Sequence, residues 1–364
     1  MAFKFKTIQD MMGAFYGQHG GEVASAILKA DAPVLSSTTG VYNRVYGAQA
    51  WSLLNNSAKT IGVLPKVPLN TTGFRILTAR GTALGSAAGM SETAALPETT
   101  KPTIAEVDLS IKTFATTFDT SLVKELLDKG GDDTWDFSQV REEMALEHTK
   151  HINKMLHGDV DTLASDNFES IDRVCSSKGE VDNLSLDAGD ADIYGLDRDS
   201  VTTYDAYVDD NSGTDIALTT GALRLAVDTI EENSGHRPNV IITGFDTARD
   251  IDALFETQTR YAMERVTVGI NGIQTAAGND VGMRVKEFDG IPIIRDSDVT
   301  KDTKSRIYFL NTEFIEFAVK LPTSYFESND YFALNKLGRE GMYVTIGELR
   351  CRNFPAQGKI RDLL

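Results

Sequence analysis

Two histidines in the middle of the chain have the spacing of a metal-binding pair. His148 and His151 are three positions apart beside Glu147, and in a helix residues at this spacing share one face. A zinc site needs further ligands, yet the sequence indicates no third one and lacks the HExxH pattern of metalloproteases. We therefore interpret both histidines as part of a solvated helix face, and we predict neither a metal site nor a cofactor.

An aspartate-rich turn begins like a calcium-binding loop. Asp190 and Asp192 have the spacing of the first two ligands, but the twelfth position is Val201 instead of the glutamate that completes such a loop. A solvated acidic loop explains these residues better than a calcium site does. We interpret the wider stretch 182–215, in which the aspartates are opposed only by Arg198, as solvated loops too.

Motifs for catalysis are missing as well. The sequence has no GxGxxG and no GxxxxGK[ST], so no phosphate-binding loop is indicated. In the run GSAAG, Ser86 stands one place away from the nucleophile position of a hydrolase elbow. We therefore expect a protein that is not an enzyme.

Positive charge is concentrated around the two histidines. Lys150, Lys154 and His157 join His148 and His151 in a locally cationic face, although the chain carries a net charge of −17. One interpretation is charge balance with the glutamates of the same segment. The other is a surface that faces a polyanion.

The composition excludes several classes of protein. The chain has 364 residues, of which 41% are hydrophobic, so it can form one large or two ordinary globular domains. The net charge of −17 argues against a sequence-specific DNA reader, which needs a basic face. Two isolated cysteines, no apolar run of about 18 residues and no signal-peptide core predict a reducing, soluble compartment without a membrane span, or exit from the cell by another route than secretion.

The element that must position the cationic face is a helix, which we predict over residues 135–163. Asp136 can cap it, with Gln139 as the return partner of a capping box. Its apolar residues recur at steps of three and four and form one narrow stripe: Phe137, Val140, Met144, Ile152, Met155 and Leu156. A long helix with so thin a stripe fits a surface or an extended support better than an enzyme core.

Extended segments precede the helix. Residues 31–72 combine turn formers with many large apolar side chains, which predicts an arm that packs against another subunit. Two strand-like runs, 74–80 and 104–118, flank a small polar tip. Because a two-stranded arm is marginal alone in water, we expect it to rest on a neighbour.

Alternating helices and strands follow in residues 217–320, which predicts a compact α/β domain. Thr219 or Thr220 can cap a helix with an apolar face, and Asp289-Gly290 is a strong hairpin signal. The remaining predicted elements are a strand at 240–242, a helix at 245–255, strands at 283–288, 291–294, 306–310 and 314–319, and a long β-run near the end in which Gly347 marks a bulge.

The order of these parts resembles the major capsid protein of tailed phages and tailed archaeal viruses, which has the α+β Hong Kong 97-like fold. Local phrases look like the core of that family in the family's order: IYGLD at 193–197, LTTGALRLAVDTI at 218–230, RPNVIIT at 237–243, EFDGIPIIRDSDV at 287–299 and RIYFLNTEFIEF at 306–317. The resemblance covers essentially the whole chain.

The resemblance implies a domain plan and a function. It implies an N-terminal arm (1–72), an extended loop (73–120), a peripheral domain with a spine helix at 135–163 (121–216), an axial domain (217–320) and a return strand of the peripheral domain (321–364). The function would be self-assembly into an icosahedral shell of pentamers and hexamers around double-stranded DNA. The alternatives are an encapsulin-type compartment and, from another class, an α/β enzyme that dimerises through a β-arm.

The resemblance also implies where contacts are made. The inner-surface candidates, which would touch DNA without sequence specificity, are Lys150, Lys154, His148 and His151. The candidates for contacts of the extended loop with other subunits are Arg75, Arg80, Glu92, Glu98 and Lys101. Expected partners are further copies of the chain, portal, scaffolding and maturation proteins, and a decoration protein, in a virion assembled in the host cytoplasm, with no membrane.

Overall fold

The computed structural model describes residues 34–35, 55, 57–79, 92, 101–123, 137–161, 165–187, 189–198, 202–256, 286–328 and 337–364. Several predictions of the sequence lie outside these ranges: the cap Asp136, the helix end at 162–163, the loop residues Arg80 and Glu98, and most of the arm 1–72.

Helices and strands both occur in the described residues. The helices are α1 (Thr60–Val63), α2 (Phe137–Leu156), α3 (Ile171–Val174), α4 (Lys178–Leu184), α5 (Thr220–Ser234) and α6 (Phe245–Glu256), with 3-10 turns at Thr202–Tyr204 and Asn211–Gly213. The strands are β1 (Val34–Leu35), β2 (Lys66–Pro68), β3 (Gly73–Ala79), β4 (Thr103–Asp108), β5 (Lys112–Ser121), β6 (Tyr207–Asp209), β7 (Val240–Thr243), β8 (Lys286–Phe288), β9 (Ile291–Arg295), β10 (Ile307–Leu310), β11 (Ile315–Ser328), β12 (Gly338–Cys351) and β13 (Gly358–Ile360).

The chain divides into two compact units, each built from segments that are distant in sequence. The first contains the described residues of Met1–Asn55, Ala115–His148 and Thr323–Val344. The second contains those of Asn56–Phe114, Thr149–Pro322 and Thr345–Leu364. Neither unit therefore corresponds to one continuous stretch of the chain.

An aromatic cluster forms the core of the first unit. Phe118 and Phe137 are buried with their ring centroids 5.5 Å apart, and Tyr325 and Tyr343 pack against them from β11 and β12. Gly341 is required beside this cluster, since a Cβ there would lie 2.5 Å from the ring of Phe118. In this unit β1 also pairs in parallel with β5.

The three sheets have different strand orders. The five-stranded sheet runs β1-β5-β12-β11-β2, the six-stranded sheet runs β6-β13-β10-β7-β9-β8, and β3 pairs with β4 alone. In the second unit, β7, β9 and β10 are buried on both faces, and α5 packs its apolar residues into the same core.

Local signals correctly predicted the helix α5 and the hairpin β8–β9. The hydroxyl oxygen of Thr219 accepts a hydrogen bond of 3.1 Å from the backbone N–H of Ala222, and Gly235 ends α5 in the left-handed region. Asp289 and Gly290 have φ values of 50° and 78°, as the tight turn between two paired strands requires.

The predicted run 104–118 is not one strand but two, β4 and β5. The backbone N–H of Asp108 donates to the carbonyl of Tyr194 at 3.3 Å, and that of Leu109 donates to Thr72 at 2.8 Å. The pairing with β3 reaches only to Asp108, opposite Gly73, and the alternation of buried and exposed residues shifts by one position after Ser110. The single long strand is therefore wrong, although the two-stranded arm β3–β4 is present.

Helix α2 ends at Leu156 and is shorter than the predicted 135–163. Its last turn tightens, because the N–H groups of His157 and Gly158 donate to carbonyls only three residues earlier. At 1.5 Å per residue, α2 is roughly 30 Å long.

The C-terminal segment contributes to two sheets. Strand β12 lies in the five-stranded sheet, whereas β13 lies in the six-stranded sheet between β6 and β10. Residues 358–360 therefore lie in a different sheet from β12, whereas the prediction placed all of 321–364 in one return strand. Gly347 on β12 permits a close approach to the backbone of β11, since a Cβ at this position would lie 2.6 Å from the carbonyl oxygen of Ala318.

Candidate assembly and nucleic-acid surfaces

His148, the first inner-surface candidate, is fully buried. Its Nδ1 atom lies 2.8 Å from the hydroxyl oxygen of Thr116 on β5, and its ring lies 6.0 Å from that of Tyr343. The predicted exposure of His148 is therefore wrong. A signal for this was present, because His148 continues the four-residue step of Val140, Met144 and Ile152 along the apolar stripe.

Lys150 is half-buried, and its charge is already paired within the second unit. Its Nζ atom lies 2.8 Å from a carboxylate oxygen of Asp298, 2.8 Å from the carbonyl oxygen of Ser57 and 3.0 Å from the hydroxyl of Ser297. Lys150 therefore serves first to hold neighbouring segments together.

Lys154 and His151 are the exposed members of the predicted cationic face. His157, which the sequence placed on the same face, is buried with 4% of its surface exposed. Burial lowers the pKa of its imidazole below the ordinary value. The cationic face in the described residues of this helix is thus reduced to two side chains.

The arm β3–β4 has two chemically different faces. On one face Phe74 and Ile76 are half-buried and pack against the core of the second unit. On the other face Leu77 and Ile104 are directly opposite each other across the strands and remain 62% and 53% exposed. These two side chains form one exposed apolar surface that a neighbouring molecule could cover.

An ion pair borders this apolar pair on the exposed face of the arm. The guanidinium of Arg75 lies 2.8 Å from the carboxylate of Glu106, and both side chains are mostly exposed. Lys101 and Glu92, two other loop candidates, are also exposed. The arm therefore carries an apolar centre beside a polar border.

A buried network of charges, which the sequence did not predict, crosses the second unit. Asp172 pairs with Arg306 at 2.8 Å and with Lys359 at 3.0 Å, and Glu180 pairs with Lys359 at 2.7 Å and with Arg361 at 2.8 Å. Burial disfavours the charged form of Asp172, but Arg306 and Lys359 outweigh it and hold the pKa of the carboxyl well below its usual range.

Arg198 is also fully buried instead of lying in a solvated loop. Its guanidinium donates hydrogen bonds to the carbonyls of Arg173, Val174 and Tyr204 and stands 4.7 Å above the ring of Phe354. The interpretation of Arg198 as a surface counter-charge to the aspartates is therefore wrong.

An acidic cavity of about 240 Å3 opens at the base of the arm, where β4 ends. Its lining residues are Asp108, Ser110, Glu169, Asp192, Tyr194, Gly195 and Glu348. Burial raises the pKa of Glu348 to about 7, although the ammonium group of Lys112 lies 3.5 Å from its carboxylate. Within the described ranges, no three His, Cys, Asp or Glu side chains are placed to hold a metal ion.

No helix among the described residues is long and apolar enough to cross a membrane.

The comparison with known proteins gives the family. Residues 22–364 match the family of the SU10 major capsid protein. No curated protein matches the chain.

Solved structures from phages and from a GTA particle share the fold at low sequence identity. The capsid asymmetric unit of cyanophage A-1(L) aligns with a TM-score of 0.60 and 13% identity, covering 88% of this chain and 97% of that one. The capsid of a native GTA particle aligns with a TM-score of 0.54 and 15% identity, covering 89% and 95%. A structure of Mycobacterium phage Bobi aligns with a TM-score of 0.51 and 11% identity, covering 87% and 96%.

The fold is the Hong Kong 97-like capsid fold that the order of parts predicted. Since the family match spans residues 22–364, the chain belongs to the SU10 major capsid protein family and is a structural protein of the virion capsid, not an enzyme.

Proposed function

We propose that the chain assembles into an icosahedral shell of pentamers and hexamers that encloses double-stranded DNA. The observation that carries the proposal is the family match over residues 22–364. An encapsulin-type compartment has no comparable support. In the host cytoplasm, portal, scaffolding and maturation proteins would join the assembly, and a decoration protein is a further candidate partner.

In this shell the arm β3–β4 lies over an adjacent subunit. Support comes from the exposed pair Leu77 and Ile104, because burying apolar surface contributes roughly 25 cal/mol for each Å2 removed from water. Arg75 and Lys101, together with the loop residues Arg80, Glu92 and Glu98, would form a polar border around this contact.

The predicted domain plan fits this role. Residues 1–72 would be the N-terminal arm, 73–120 the extended loop and 217–320 the axial domain. Residues 121–216 and 321–364 would contribute the peripheral domain, with α2 as its spine, except that β6 and β13 join the sheet of the axial domain. The exposed end of α2, with Lys154 and His151, would face the DNA, whose contacts would be to phosphates and independent of sequence.

Electron microscopy of the chain, expressed with its candidate scaffolding and maturation partners, tests the proposal. We expect closed particles with rings of five and six subunits that contain DNA after packaging. Small closed shells that copurify with a protein cargo and no nucleic acid would favour the encapsulin alternative. A chain that stays monomeric with all partners present would contradict both.

A further inference from the structure

Three hydrogen bonds hold the segment 57–64 to a single carboxylate oxygen. The Oδ2 atom of Asp296 accepts from the backbone N–H of Thr60 at 2.9 Å, from that of Lys59 at 3.2 Å and from the hydroxyl of Thr60 at 2.8 Å. The side-chain amide of Asn153 on α2 donates to the same oxygen at 2.9 Å. This carboxylate therefore joins the segment before β2 to α2 and to the loop after β9.

The hydrogen bonds of Thr60 fix which ring nitrogen of His157 acts as the donor. The hydroxyl of Thr60 has one hydrogen, which it donates to Asp296, so its oxygen accepts from the Nε2–H group of His157 at 2.7 Å. In the neutral imidazole, the proton is therefore on Nε2 and the Nδ1 atom carries none. Nδ1 is buried and has no hydrogen-bond partner among the described residues.

We propose that Asp296, Thr60 and His157 form an acid-released latch that fastens the segment 57–64 to α2. At neutral pH the polar hydrogens of the His157 and Thr60 side chains are both donated, from His157 to Thr60 and from Thr60 to Asp296. Protonation of Nδ1 creates a buried N–H group without an acceptor and a buried positive charge, which opening of the latch relieves by letting water reach the ring.

Charged groups on three surrounding segments act on this ring. Asp296 and Asp298 in the loop after β9 and Asp172 on α3 favour the imidazolium, and Lys150 on α2 opposes it. Tyr308 on β10 covers the ring at 6.0 Å between centroids and adds no charge when neutral. Burial outweighs these charges and lowers the pKa of His157.

The direction of the pH effect follows from this lowered pKa. The open form binds the proton more readily than the closed form, so the latch is most stable above pH 6.5 and weakens as the pH falls below that value. Asp296 does not release the latch over this range, since its pKa is lowered to about 2: burial raises it, but hydrogen bonds from Asn153 and others outweigh burial.

Hydrogen exchange of the full-length chain tests the latch at the amides of residues 59–61, compared at pH 7.5 and pH 5.5 after correction for intrinsic rates. We expect protection in the wild type to fall by up to about tenfold, because one proton contributes a factor of ten for each pH unit below 6.5. In His157→Gln, whose amide can donate to Thr60 without titrating, we expect equal protection at both pH values.

His236→Gln is the matched control, because His236 is exposed and lies outside the latch. It should retain the pH dependence of the wild type. Thr60→Val removes the hydroxyl but keeps the histidine, so the amides of residues 59–61 should lose protection at both pH values. This variant replaces His157→Gln in the test if His157→Gln does not fold. Equal protection of the wild type at both pH values, or a pH dependence that persists in His157→Gln, would overturn the latch.

Discussion

Buried charged side chains organise the interior of the second unit at the scale of single residues. Arg198 is satisfied by backbone carbonyls and an aromatic ring, whereas Asp172 and Glu180 share three basic partners. Each arrangement depends on segments that are far apart in the chain, as in the pair of Asp172 with Lys359. Breaking such a pair by removing one partner is costly, because it leaves an uncompensated charge in the interior.

Glu348 gives a pH-dependence prediction at this scale. Its pKa is about 7 in the folded chain and 4.5 for an ordinary glutamate, so the folded state binds more protons between these values. Stability contributed by this residue is present at low pH and is lost as the pH rises through about 7, by up to about 3 kcal/mol. In Glu348→Gln this loss cannot occur, so the unfolding free energy of the variant relative to wild type should rise from pH 5 to pH 8.

Urea unfolding at several pH values measures the difference in unfolding free energy between Glu348→Gln and wild type. Only the change of this difference with pH tests the prediction, since a difference that is the same at every pH reflects altered packing. Glu313→Gln is the control, because Glu313 is exposed. It should show no such slope. A difference between Glu348→Gln and wild type that stays constant from pH 5 to pH 8 would refute the assignment.

The sequence predicted exposure at some residues and failed at others for a physical reason. Lys154 and His151 lie on the exposed side of α2 as their helical positions indicate. His148 lies at the four-residue step of the apolar stripe, yet we predicted that it is exposed because its side chain is polar. Its hydrogen bond to Thr116 on another element, which allows its burial, cannot be read from periodicity. The burial of Arg198 and Lys359 was hidden for the same reason.

At the scale of elements, structure set by neighbouring residues was predictable and structure set by distant partners was not. The cap of α5 and the turn between β8 and β9 depend only on residues that are close in sequence. At the break between β4 and β5 the chain bonds Tyr194 and Thr72, and these partners could not be read from the alternating pattern of 104–118. Strand β11 continues to Ser328, beyond the end predicted at residue 319.

The two faces of the arm give a prediction for this element. Leu77→Asp should reduce the yield of closed particles by about tenfold or more, because a charge left in a dry contact costs over ~1.4 kcal/mol. Its effect on the unfolding of the unassembled chain should be small, since Leu77 is 62% exposed. Particle yield by sedimentation and stability by urea unfolding measure the two effects separately.

Ile76→Asp is the matched control on the opposite face, where Ile76 is half-buried against the core. It should lower the stability of the unassembled chain by about 1–3 kcal/mol. If Leu77→Asp assembles as well as wild type, the exposed face of the arm does not contact a neighbour.

At the scale of the whole molecule, the order of parts carried more information than any motif. The family and the fold were predicted from the order of an arm, a long helix and an α/β region along the chain. Each short sequence phrase alone was too variable to identify the family. The division into two units was not predictable, since each unit collects segments from distant parts of the chain. The net charge of −17 adds a constraint to the proposed role, because a strongly acidic shell protein that enclosed DNA would have to present exposed cations to it.

Lys154→Glu tests that constraint. If the exposed end of α2 faces the genome, this change should lower the DNA content of each particle and leave the yield of shells unchanged, because it alters a phosphate contact and no packed side chain. In a binding assay with double-stranded DNA, the slope of log affinity against log salt should fall by about 1 for each phosphate that the variant no longer neutralises. Arg224→Glu, an equal change of charge at an exposed position of α5, should leave DNA content as in the wild type. Equal reductions of DNA content in both variants would mean that DNA responds only to net charge, and the inward orientation of α2 would then be refuted.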